Sequence, residues 1–173
     1  PQQIPVLYMA FNVPSLKTQA DPTIAPALEL LSELLAGANS SLFKTRLAHQ
    51  EGLVSGITVH YTAVSQGDEL FSIRALPDLE KAGSMEAVKT RILALIDTLK
   101  TAPPRQQDLD RARVQITARR VFDQDELSNR ALQLGEQEMA GLDWRSEQAR
   151  FDTLKAITPQ DVQRVVRTFL ATD

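Results

Sequence analysis

Two histidines, His49 and His60, are the side chains of this sequence best suited to binding a metal or moving a proton near neutral pH. His49-Gln50-Glu51 is an H-x-E triplet, the spacing with which nucleobase deaminases combine a zinc ligand and an acid–base glutamate. Those enzymes also need cysteine ligands, and the chain has none. The triplet therefore supports no deaminase. The lack of cysteine also excludes a disulfide scaffold, a thiolate zinc site and a cysteine nucleophile, while leaving the redox compartment open. Zinc held by both histidines and a carboxylate would have to be assembled by folding. No serine sits in a G-x-S-x-G elbow, and Ser40-Ser41 reads as a helix cap, with one hydroxyl accepting from an orphan backbone N–H. Arg111, Arg113, Arg119 and Arg120 cluster among Asp108, Asp110 and Asp123. That pattern reads as a solvated helix face laced with ion pairs, or alternatively as a docking surface for a partner domain. His60, between Thr58 and Thr62, reads as a partly exposed strand residue, and Trp144 as a packing anchor.

These side chains depend on residues 35–61, the stretch around which the chain is organised. It reads as a helix end, a glycine stop, a short helix, a second glycine and a strand. Gly37 suits a left-handed position after the first helix. Phe43 and Leu47, four apart, give the short helix an apolar stripe. At Gly52 the period changes from 3.6 to 2. Leu53, Ser55, Ile57, Val59, Tyr61 and Ala63 then share one face, apolar apart from Ser55, and His60 lies on the mixed opposite face.

Residues 40–56, SSLFKTRLAHQEGLVSG, resemble the glycine-rich SSRLFQELREKxGLAYS-type segment in the non-catalytic second domain of pitrilysin/insulinase-type zinc metallopeptidases, which include processing peptidases. Alignment on Gly52-Leu53 runs without a gap to Ser40-Ser41, and the order of elements agrees across nearly the whole chain. The resemblance implies that zinc belongs to another domain of the parent protein, because the family's H-x-x-E-H motif is absent here. It also implies that the loop carrying Gly37, Ser40 and Ser41, with Gly52 as the second stop, faces a chamber between domains. Active relatives usually place an arginine near the helix end and a tyrosine seven residues later, where they hold the substrate. Here those positions are Ala48 and Ser55. His49 is the better-placed substitute donor, since Arg46 lies two residues from position 48, about 200° round a helix. Ala48, His49 and Ser55 are thus the substrate-binding positions implied by resemblance. Ser55 otherwise reads as a small residue where a helix packs closely on the sheet.

The remaining elements frame this corner. Residues 4–13 are nearly continuously apolar and predict a strand covered on both faces, with Pro5 at its start or on an edge. Asp21-Pro22 predicts an N-cap and N1 proline for a helix with Ile24, Ala27, Leu28, Leu31, Leu34 and Leu35 at helical spacing. Residues 65–68 turn into a strand over 69–76, antiparallel to the preceding one, which Pro77-Asp78 ends. Met85, Val88, Ile92, Leu95 and Leu99 mark a long helix closed by Pro103-Pro104. Helices follow over 105–122, over 126–140 (Leu127, Ala131 and Leu134, with Gly141 as stop) and over 145–155. The last begins with Thr158 as cap, Pro159 at N1 and Asp161 closing a capping box, with Ile157 and Val162 as its staple.

The expected fold is α+β: an antiparallel-rich mixed sheet with helices packed on one face, as in processing-peptidase-like metallohydrolase domains. With 173 residues and 43% hydrophobic content, residues 1–173 make one domain. A start at Pro1 without methionine suggests a piece of a longer chain, and the resemblance implies a last strand after the final helix. A net charge of −3 and pI near 5.5 argue against nucleic-acid or anionic-membrane partners. No apolar run reaches the roughly 18 residues of a membrane span. The implied function is the peptide-binding half of a zinc metalloendopeptidase chamber, inactive alone and without its own cofactor. Its partners would be a preceding catalytic domain or subunit and a peptide or protein substrate. Alternatives are a catalytically silent structural or processing-complex subunit of the same fold, or an unrelated small-ligand or protein-binding module. Large bacterial relatives lean toward the periplasm.

Overall fold

The computed structural model describes residues 5–125 and 127–171, without the side chains of 123–128 and 144. The readings of Ile4 and Glu126, and of the side chains of Asp123, Leu127 and Trp144, fall outside that description. Two-residue alternation builds the sheet. Strand β1 (Leu7–Val13) sends Leu7, Met9 and Phe11 toward the core and leaves Tyr8, Ala10 and Asn12 exposed. Strand β2 (Val54–His60) and strand β3 (Glu69–Pro77) form the expected antiparallel hairpin, and β1 pairs with the other side of β3. The order is β1-β3-β2, antiparallel throughout. Coverage of β1 on both faces is not what the structure shows. Phe71, Ile73 and Ala75 of β3 are fully buried, while Tyr8 on the reverse face is 68% exposed. The helices pack on one face alone.

Helix α1 (Ile24–Ala36) is the keystone of that layer. Leucines and alanines around most of its circumference are buried, as expected of a helix with neighbours on several sides. It lies against β2 and against α4 (Gln106–Asp125), α6 (Trp144–Ala156) and α7 (Pro159–Phe169). It begins later than Asp21-Pro22 predicts. The Asp21 carboxylate instead accepts from the Thr23 N–H at 2.8 Å and its hydroxyl at 2.7 Å, a turn placed just ahead of the helix.

Between the hairpin and α4 lie a one-turn helix α2 (Leu79–Ala82) and the long α3 (Met85–Thr101), capped by the side chains of Asp78 and Ser84. Both caps are Ser/Asp signals that the sequence reading left unused. Helix α5 (Leu127–Ala140) ends at Gly141, whose φ of +67° requires glycine. Its predicted stripe is not core: Ala131 and Leu134 are exposed, and Gln137 and Ala140 are buried instead. Helix α7 shows the predicted capping box, with Thr158 and Asp161 exchanging hydrogen bonds. Ile157 and Val162, the staple pair, are both buried.

The α4 arginines do more than line a solvated face. Arg111 pairs with Asp108 on its own helix, but Arg113 donates to the Ile157 carbonyl at 2.8 Å and Arg119 reaches Glu33 of α1 at 2.9 Å. The Arg120 guanidinium lies 3.9 Å from the Phe151 ring centroid, a cation–π contact. Three of the four thus clamp α4 to its neighbours.

Candidate functional site

The corner after α1 is built around buried aromatic and aliphatic anchors. Phe43 and Leu47 are fully buried, so residues 44–50 present one side to the core. This segment, Lys44–Gln50, is a π-helix rather than the expected α-helix. The Glu51 N–H donates to the Arg46 carbonyl at 2.9 Å, five residues back, and the Leu53 N–H to Leu47 at 2.8 Å. Gly52 then stops the helix as expected, and its φ of +64° is the left-handed conformation that glycine adopts readily. The Leu53 carbonyl accepts from Asp78 N–H at 2.9 Å, tying the corner to the end of β3.

Gly37 has a different rationale from the one its position suggests. Its φ of −67° is open to any residue. What excludes a side chain is space, since a Cβ would stand 1.9 Å from Glu33 Oε1. Glu33 is buried and its carboxylate is held by Arg119. Gly37→Ala must therefore displace that carboxylate, with an expected loss of about 1–2 kcal/mol of stability. In a Glu33→Ala background the same change should be neutral or slightly stabilising. A urea-denaturation double-mutant cycle reads the coupling.

Neither serine caps the short helix, which has no side-chain cap. Ser41 is buried and its hydroxyl has no hydrogen-bond partner. The loop is closed instead by Lys44, whose ammonium donates to the Gly37 carbonyl at 2.7 Å.

The three positions implied for substrate contact have different surroundings. Ala48 packs half-buried against the core, whereas His49 and Ser55 are exposed. Alternation predicted Ser55 on the buried face with Ile57. A β-bulge between Val54 and Gly56 changes that parity: Val54 and Ile57 are buried, and Ser55 is the extra residue turned to solvent. Its hydroxyl donates to the Leu76 carbonyl at 3.3 Å. The bulge has no strong sequence signal; Gly56 is the only hint.

The corner is also fixed to α3. Arg91 forks onto Glu51 with bonds of 2.6, 2.8 and 3.1 Å. The hydrogen bonds from Arg91 hold the Glu51 carboxyl below its ordinary value, against an opposing push from burial. A lowered folded value means that the pair stabilises fully above the ordinary value of 4.5 and loses that contribution as the pH falls through the lowered one. Glu51→Gln should be about 1 kcal/mol less stable than the wild type at neutral pH, and the gap should narrow as the pH falls below 4.5. Thermal melts across that range check it.

The sheet's outer face is the other exposed feature. Tyr8, Arg74 and Thr58 stand in one cross-strand row, and Ala10, Ser72 and His60 in the next. Arg74 donates to the Tyr8 hydroxyl at 3.0 Å and lies 5.9 Å from its ring centroid. His60 is exposed, as its sequence neighbours indicated, and its ring is 3.3 Å from the Thr62 hydroxyl. Among the described residues, no three His, Asp or Glu side chains converge as metal ligands. No helix among them is long and apolar enough to cross a membrane.

A chain from a Helicobacter pylori protease shares this fold with a TM-score of 0.81 at 23% identity, covering 96% of the present chain and 38% of that one. The inactive peptidase domain of a candidate zinc protease from Bordetella parapertussis superposes at 0.80 with 21% identity, covering 96% and 84%. A chain of complex III from Candida albicans does so at 0.71 with 13% identity, covering 98% and 41%. No curated protein matches the sequence. The chain therefore spans well under half of the Helicobacter chain but most of the Bordetella domain. At the level of sequence, the peptidase M16 inactive-domain profile matches residues 1–116, which include the glycine corner, all three strands and α3. Fold and sequence agree: the chain belongs to the peptidase M16 inactive-domain family and is a non-catalytic domain of the zinc-protease type.

Proposed function

We propose that this domain forms the non-catalytic wall of a peptide-cutting chamber and holds extended peptide while a companion domain or subunit carries the zinc. The observation that carries this reading is the uncovered sheet face together with the outer edge of β2. Among the described residues, the helices pack on the other face, and β2 pairs with β3 on one side only. Its remaining backbone groups can take an extended peptide as an added strand, so affinity would come from main-chain hydrogen bonds common to many sequences. The small and polar side chains beside that edge, Ser55, Thr58 and His60, suit such broad recognition. His49 is an exposed donor on the adjoining π-helix.

The purified chain is expected to carry no stoichiometric zinc and to cleave nothing. Backbone amides of residues 54–60 should shift when an unlabelled, unfolded β-casein peptide is added. Zinc at one equivalent or measurable turnover would refute the non-catalytic assignment. Unmoved β2 amides would refute the peptide wall.

A silent structural subunit is the second reading. It is favoured by Ala48 and Ser55 at positions where the family resemblance implies arginine and tyrosine. The similar fold of a chain of complex III from Candida albicans also supports this reading. Peptide hydrolysis by the parent protein decides between the two.

A further inference from the structure

A cavity of about 680 Å³ opens between the loop before the π-helix, the C-terminal end of α3 and the first turns of α4. None of its lining residues belongs to a strand, so it is separate from the sheet face proposed above to hold peptide. Its size falls within the range of ligand pockets. Leu34, Leu42, Leu99 and the Pro103-Pro104 pair supply apolar wall.

Polar groups converge on one side. Ser41 lines the cavity, is only 7% exposed, and has a buried hydroxyl with no partner. That hydroxyl has almost no accessible surface, so Ser41 contributes wall to the cavity rather than a donor. Three guanidinium groups also line the cavity: those of Arg46, Arg105 and Arg111. Asp108 alone serves both Arg105, at 2.8 Å, and Arg111, at 2.6 Å. Arg46 donates to the neutral amide of Gln50 at 2.9 Å, and the nearby Glu51 is already held by Arg91. The other lining carboxylate, Glu33, is paired with Arg119, which is not part of the lining. Positive charge therefore exceeds negative along this wall, next to an apolar floor.

We infer that the cavity is a binding site for a carboxylate carried on an apolar group. The carboxylate is received by Arg46, and its apolar flank rests on Leu42, Leu99 and Pro103. An acidic side chain within a peptide and a free dicarboxylic acid both present this chemistry.

Titration of the isotopically labelled chain with Ac-Leu-Glu-Leu-NH₂, its Gln counterpart and glutarate tests the site. The Glu peptide should shift the amides of Ser41, Thr45 and Arg46, while the Gln peptide binds at least about tenfold more weakly. Arg46→Gln should weaken the Glu peptide by about tenfold, whereas Ser41→Ala, at a hydroxyl closed off from the cavity, should leave it unchanged. Their unchanged amide spectra away from the cavity would show that the fold is intact. Glutarate binding as tightly as the peptide supports a free acid as occupant, and glutarate binding much more weakly supports a peptide. Equal binding of Glu and Gln peptides, shifts confined to residues 54–60, or no shifts with any probe would overturn the inference. Because the cavity and β2 are read by different amides, failure here leaves the peptide-wall reading to its own test.

Discussion

Phe43→Ala is expected to lower the free energy of unfolding by about 3–5 kcal/mol, a large fraction of the stability of a domain this size. The ring is fully buried at the point where the loop after α1 enters the π-helix. Removing it forfeits the transfer free energy of an aromatic ring and leaves a cavity whose walls are regular elements that cannot readily collapse. Leu47, one turn further on, would lose packing on the same side. The damage should have a direction. The bonds from Glu51 and Leu53 back to Arg46 and Leu47 hold the corner only while the π-helix stays docked. Hydrogen exchange should therefore accelerate most over residues 44–53, and urea denaturation should report the global loss. Phe43→Leu keeps most of the volume and should lose about half as much or less. A loss under about 1 kcal/mol for the alanine variant would mean that the corner is anchored elsewhere.

Much of this fold can be read from the sequence because its elements follow strong periodic signals. α1, α3 and α7 declare themselves through apolar spacing, and Thr158, Pro159 and Asp161 mark a helix start with three concordant residues. Alternation at Phe71, Ile73 and Ala75 identifies the core face of β3. The failures occur where a third dimension decides. Near-continuous apolarity in β1 cannot reveal that one face has no covering layer. Gly37 looks like a left-handed stop, but its smallness serves a buried carboxylate four residues earlier, a contact that no local pattern encodes. The bulge at Ser55 moves one residue across the sheet and thereby reverses the environment of the position on which the family comparison turns. The cavity beside Ser41 joins two stretches far apart in sequence, residues 33–50 and 98–115, so its residues carry no shared motif.

Arg150→Met is expected to be as damaging as the loss of Phe43, for an electrostatic reason. Arg150 sits on α6 with its side chain only 13% exposed, between Glu29 of α1 and Glu147 of its own helix. It forks onto Glu147 at 2.6 and 2.9 Å while its other terminal nitrogen pairs with Glu29. Burial disfavours the charged guanidinium, but the charge of Glu29 and the bonds to Glu147 outweigh that and hold it protonated more firmly than an ordinary arginine. Methionine would fill much of the volume and supply no charge. Two carboxylates, each about one-fifth exposed, would then face one another without a cation. Breaking a buried network by removing one partner costs about 3–5 kcal/mol, because the remaining charges stay desolvated and uncompensated. The sharper prediction concerns rescue. Replacing all three members, as in the Glu29→Met, Glu147→Leu, Arg150→Met triple variant, removes the stranded charges and should restore most of the lost stability. If the triple variant is no more stable than Arg150→Met alone, the arginine acts through its packing between α1 and α6 rather than its charge. If Arg150→Met itself unfolds at the wild-type urea midpoint, this network contributes nothing to the helical layer that leaves the sheet's other face free.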